Sequence, residues 1–244
     1  MTTTLSEQLA TLVATGGRLS APGSGGSSPM QALVALWVRD LSDTLHFQGS
    51  WGYGDALQSD AGIIRANLPV IVRGTEDQET LAETGNALED LGTRAETNAA
   101  AFNTYQGALN DYEAQLPNTT ADLLQALNLS DDVPRPELGD PTQLSSFFAA
   151  LMTYLAGLVQ RHQDQAAAIR DFQGFVGALD SLRLISGSLA TLWQDALRDA
   201  TAAYGAYNAL FTVASPDTTM VELNLAGVEG DWQEIAALLG PAGA

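Results

Sequence analysis

The chain contains no cysteine and no lysine, so all ten of its basic side chains are arginine, and it has only two histidines. Each absence removes a chemistry. Without cysteine there is no disulfide framework, thiolate nucleophile, zinc ribbon or iron–sulfur site. Without lysine there is no Schiff-base enzyme, no phosphate loop of the GxxxxGK type and no kinase-type ATP lysine. His46 and His162 lie far apart, and neither belongs to an HxxxH, HExxH or ExxH pattern. A histidine metal site or a di-iron bundle therefore has no sequence support. Basic residues are outnumbered by 29 acids, giving a formal charge of −19. A surface of that sign does not suit nucleic acid, whose binding needs clustered Lys and Arg. No GxSxG elbow is present, and the acids Asp131, Asp132 and Glu137 lack the glycine-punctuated order of a calcium loop. We expect no enzyme activity, no cofactor and no metal.

What is present is helical periodicity. Apolar residues make up 45% of the 244 positions, enough for a folded core. Residues 5–14 read as a short helix, and 16–29 as a flexible Gly/Ser/Pro linker, so 1–29 is expected to be a flexible N-terminal segment. From Pro29, the residues Met30, Leu33, Val34, Trp37, Val38 and Leu41 fall on one helical face. His46 to Gly54 sets three glycines among aromatics, and a second helix is expected from Asp55 to about Leu68, stopped by Pro69.

The clearest signal runs from Thr75 to Leu116. Thr75 and Gln78 offer a capping box, and Leu81, Leu88, Ala95, Phe102, Leu109 and Leu116 recur at intervals of seven. Thr84, Leu91, Asn98, Tyr105 and Tyr112 interleave. At ~1.5 Å per residue this is a rod of roughly 60 Å that needs a partner helix. Pro117 is expected to end it, with a connector reaching Pro141 that holds one short helix at 121–127. Between Pro141 and Pro216 the pattern stays helical, with a break in phase near Asp180 and Ser181 that predicts a stutter or a turn. Trp193, Leu197, Ala200, Tyr204, Tyr207 and Phe211 extend its stripe, and a last helix is expected over Gly230 to Leu239. Only Pro69–Val72 and Met220–Leu225 look strand-like. The expected class is all-α: an elongated bundle of long antiparallel helices with heptad seams and a short connector, forming a single domain over 30–244.

The segment 141–160 stands out because it carries no charge between Asp140 and Arg161. As a helix it would match the ~30 Å hydrocarbon thickness of a bilayer. One reading makes it the buried face of a bundle helix. The other makes it a segment sheltered in solution and exposed at a membrane.

Long heptad helices, this apolar segment, then SLATLWQDAL and a closing DWQEIAALL together resemble the extended helical-bundle pore-forming toxins. That family includes the haemolysin BL and non-haemolytic enterotoxin components, the cytolysin A type and the nematicidal crystal-protein type. The residues carrying the resemblance are Leu189, Leu192, Trp193 and Leu197, then Trp232, Ile235 and Leu238. It implies a membrane-active toxin, or a component of a multipart one. Phe147, Phe148, Leu151, Met152, Leu155, Leu158 and Val159 would be the insertion candidates, and Trp193 and Trp232 the packing aromatics. Expected partners are a target membrane, partner toxin components or further copies of the chain, and no nucleic acid. The start of the chain has no basic run before its apolar residues, so release without a recognisable signal peptide is expected. The alternative is a non-enzymatic scaffold protein acting through coiled-coil interfaces. A third reading uses Phe47, Trp51 and Tyr53 as the wall of a ligand pocket.

Overall fold

The computed structural model describes residues 4–21, 28–44, 52–74, 77–129, 142–212 and 217–240. Among these the chain is all-α, with seven α-helices, one 3-10 turn and no strand. The helices are α1 (Leu5–Ser20), α2 (Ser28–Thr44), α3 (Tyr53–Val72), α4 (Gln78–Ala126), α5 (Thr142–Arg161), α6 (Ala166–Ala209) and α7 (Thr219–Leu239). A 3-10 turn, Gln163–Gln165, separates α5 from α6.

The chain divides into two compact units. The first takes Met1–His46, Tyr105–Ser186 and Gly243–Ala244; the second takes Phe47–Thr104 and Gly187–Ala242. The first unit thus holds α1, α2, the later part of α4, α5 and the early part of α6. In the second, α3 and α7 join the early part of α4 and the later part of α6.

In the first unit α1 is a capped helix that covers the expected 5–14 and continues through Ser20 into the stretch expected to be a flexible linker. Thr4 closes a capping box with Glu7, its Oγ1 accepting from the Glu7 amide at 3.3 Å while its own amide donates to Glu7 Oε2 at 2.9 Å. Leu5, Leu12 and Leu19 are buried at spacings of seven. Gly16 is a packing residue rather than a linker glycine, since an added Cβ would collide with Val38 of α2 and lie 3.2 Å from the Phe175 ring of α6. Arg18 reaches Asp171 at 2.8 Å. Trp37 of α2 is 1% exposed, with ring centroids 5.1 Å from Tyr112 and 6.1 Å from Phe175. It ties α2 to α4 and α6.

The second unit is built on an aromatic trio. Tyr53 meets Trp193 edge-on at 4.9 Å, Trp232 lies 5.5 Å from Tyr53, and the two tryptophans are 6.2 Å apart. Gly54 makes room for it, because a Cβ there would sit 2.7 Å from the Trp232 ring. The Tyr207 hydroxyl donates to the Leu81 carbonyl at 2.8 Å, and Arg65 grips Glu229 with two bonds of 2.7 Å.

Both prolines expected to stop helices lie inside them. Pro69 is within α3 and Pro117 within α4. A helical proline removes one hydrogen bond and costs about 3 kcal/mol. The seam explains why α4 continues: Leu123 follows Leu116 by seven and Thr119 follows Tyr112 by seven, and Leu116, Thr119, Thr120, Leu123 and Leu124 are all buried. Each fully buried leucine returns about 1.5–3 kcal/mol, so two or more outweigh the lost bond. At the start of α4, Asp77 Oδ1 accepts from the Thr80 amide at 2.8 Å; Thr75, the expected cap, lies outside the described residues.

Further expectations are refined. A turn within 141–216 falls at His162, while α6 runs through Asp180 and Ser181 without interruption, so of the stutter or turn expected there the turn is absent. The two strand-like pieces, Pro69–Val72 and Met220–Leu225, are helical, and the last helix begins at Thr219 rather than Gly230. Each piece is short, and its apolar residues also fit a helical face. Finally, α4 occupies 121–126 that was assigned to a separate short helix, and α3 begins at Tyr53.

Pro117→Ala restores the missing amide without disturbing the buried seam. It should raise stability by about 1–3 kcal/mol in chemical denaturation with an unchanged m-value. A loss of stability would mean that the proline ring packs in a way its half-exposed position does not suggest.

Candidate functional sites

Four groups of residues are candidates, two in each unit.

The first is the segment predicted to insert in membranes. The structure brings these residues together on α5: Phe147 (4% exposed), Phe148, Leu151, Leu155 and Leu158 are buried, and Met152 and Val159 are half-buried. They pack at spacings of three and four, as a core-facing helix does. Phe147 and Phe148 meet edge-on at 5.7 Å, and the Met152 methyl approaches Gly177 of α6.

Beside them lies a charged cluster that periodicity did not reveal. Glu113 of α4 is 1% exposed, with Oε1 3.2 Å from Arg183 Nε on α6. Arg183 also holds Asp180 at 2.7 Å, and its guanidinium lies over the Phe148 ring at 5.6 Å. Burial pushes the Glu113 carboxyl up to about 7, against the opposing pull of Arg183 and with a further rise from Asp180. Glu113 follows the seam residue Tyr112 by one position, where a heptad usually shows solvent a glutamate. Only the depth of packing against α6 distinguishes it.

In the second unit, acids surround the aromatic trio. Burial raises the Tyr53 hydroxyl well above the usual tyrosine range, reinforced by Asp231 and Asp60. Asp231 is raised to about 6, first by burial and then by Asp199 and Asp195. Asp60 is raised by burial and by Asp90, while Arg94 bonds Asp90. A cavity of about 360 Å³ is lined by Asp60, Ile63, Glu83, Asn86, Ala87 and Asp90. Among the described residues no group of three or more His, Asp or Glu side chains has the geometry to hold a metal ion. Trp193 is fully buried and Trp232 half-buried within this unit. Tyr53, expected in a pocket wall with Phe47 and Trp51, is a core residue with no exposure, and its two companions lie outside the described residues. His46 also lies outside them, and His162 is half-buried at the α5–α6 break.

The fourth group is an open apolar groove where α6 ends and α7 begins. It measures about 520 Å³ and is lined by Ala202, Ala206, Ala209, Leu210, Met220 and Asn224, with Asp217 at its edge. Met220 in its lining is 55% exposed, and Leu223 and Phe211, next in sequence to the lining residues Asn224 and Leu210, are 61% and 50% exposed. Of the residues that extend the α6 stripe in sequence, Tyr204 and Phe211 are exposed, Phe211 lying beyond the helix end at Ala209. Leu223 lay in a supposed strand, so its alternation concealed a helical surface residue.

Comparison with family models, curated proteins and solved structures gives no match.

Glu113 gives a test of the first unit. Its folded pKa lies above that of an unfolded glutamate, ~4.3. Its stabilising share is therefore complete below the unfolded value and is lost as pH rises through about 7. Glu113→Gln should stabilise the protein by about 2–3 kcal/mol at pH 8 and have little effect at pH 5, measured by urea denaturation at both. An equal effect at both pH values would show that the carboxyl does not titrate between them.

Proposed function

We propose that the protein is a non-enzymatic helical scaffold or adaptor that works by binding other proteins through helix surfaces. The observation that carries this reading is the open apolar groove between α6 and α7, whose lining includes the exposed Met220, with Leu223 and Phe211, next in sequence to the lining residues Asn224 and Leu210, also exposed. An open apolar groove flanked by exposed large side chains marks an interaction surface. The acidic excess keeps such a surface from driving indiscriminate association, because like-charged copies repel. Photo-crosslinkers placed at Met220 and Leu223 should trap a discrete protein species in native extracts. The same probe at Leu184, exposed in the other unit, should not trap it, and a neighbouring Phe211→Glu change should abolish it. Identical products from all positions would sink the reading.

A second reading has its own support. Helix α5 is uncharged from Thr142 to Gln160, and its largest side chains are sheltered in the first unit. Among the described residues, the span Gln163–Ala209 is also long and apolar enough to cross a membrane, with half of its most apolar window buried. A membrane-active bundle, or one component of a multipart pore-forming toxin, would hold such segments until lipid contact. Exposing five buried side chains at about 1.5–3 kcal/mol each amounts to roughly the stability of a whole domain. Release therefore requires the first unit to open. Protonation of Glu113 favours its closed form, so dye leakage from phosphatidylcholine vesicles should be greater at pH 8 than at pH 5. No leakage and no lipid association at either pH would remove this reading.

A further inference from the structure

The groove's shape and surroundings indicate what it would bind. Its α6 side presents Ala202, Ala206 and Ala209, at spacings of four and three, so three small residues face one way. Small residues let another helix approach closely. Leu210, 6% exposed, forms an apolar floor, and Met220 stands on the α7 side. An apolar side-chain row at the same helical spacing would fill this channel, as amphipathic helices fill grooves elsewhere.

One acid stands at the groove itself: Asp217 is part of its lining. Asp217 accepts from the Thr219 amide at 2.9 Å and from its hydroxyl at 2.6 Å, which fixes the carboxylate at the edge. Those bonds hold it below the usual aspartate range, so it is ionised at neutral pH. From Gly187 to Ala242 there are seven acidic residues and the single Arg198, which is itself engaged by Asp195 at 2.6 Å and Asp199 at 3.2 Å.

This charge selects among possible occupants. A second copy of this lysine-free, acidic chain would bring like charge to like charge. Nucleic acid and anionic lipid carry the wrong sign. We infer that the groove between α6 and α7 docks an amphipathic helix of a partner protein, with an apolar stripe flanked by Lys or Arg. The inference rests on the protein-binding reading above and adds the partner's chemistry.

The test uses the full chain and three fluorescent 18-residue peptides followed by anisotropy. One is an amphipathic Leu/Lys helix, one its Leu/Glu counterpart, and one a scramble of the Leu/Lys composition without helical spacing. The expected result is saturable binding of the Leu/Lys helix at least tenfold tighter than either control, weakening several-fold between 50 and 500 mM salt as exposed charges are screened. Ala206→Phe, which fills the channel from a half-buried position, should reduce that binding at least tenfold with an unchanged circular dichroism spectrum. Asp217→Asn should flatten the salt dependence while leaving the groove open. Equal binding of the two amphipathic peptides would overturn the charge assignment while leaving protein binding intact. Equal binding of the scramble, or indifference to Ala206→Phe, would show attraction to the acidic surface at large and overturn the groove. Absence of peptide binding would also overturn it, and the Met220 crosslink would then decide separately whether the wider reading survives.

Discussion

The repeat of buried residues along α4 is the constraint on which the structure depends. Leu88, Ala95, Phe102, Leu109, Leu116 and Leu123 recur at sevens, and none is more than 1% exposed. Residues up to Thr104 serve the second unit, and those from Tyr105 serve the first. One uninterrupted phase therefore supplies apolar surface to both cores. That phase also carries α4 past Pro117, where local propensity alone would end it.

Apart from Glu113, which remains paired and covered, charge is kept largely to the outer surfaces of these cores. A carboxylate placed this deep is costly unless it is paired or protonated. Arg183 pairs it, while Asp180 and the Phe148 ring hold Arg183 in position. The same guanidinium thus answers a buried acid and covers an aromatic ring of α5. The second unit solves a similar problem without an arginine at its centre: Tyr53 stays neutral among Trp193 and Trp232, and the acids around it are raised.

The all-α class and most helix cores were legible, because a period of 3.5–3.6 residues survives over long stretches. Local stop signals were less reliable. Pro69 and Pro117 read as ends because a proline's cost is local, whereas the burial that offsets it comes from other helices. The break at His162 carried no proline or glycine, so nothing nearby announced it. The candidate site was less legible still. The groove depends on where α6 stops and on which side of α7 faces outward, and neither follows from composition. Leu223 and Met220 look like core residues in sequence, and Glu113 looks like a surface one.

The order of segments in the two units has a consequence for biosynthesis. Each unit is assembled from pieces on both sides of a piece belonging to the other, with crossings inside α4 and α6. A nascent chain released as far as Thr104 has delivered α1, α2 and α3 but completed neither core. The first unit becomes closable only after Ser186 has emerged, and the second only after α7. The ribosome therefore exposes the α4 seam for much of synthesis, a long interval in which an apolar surface awaits partners that are not yet translated.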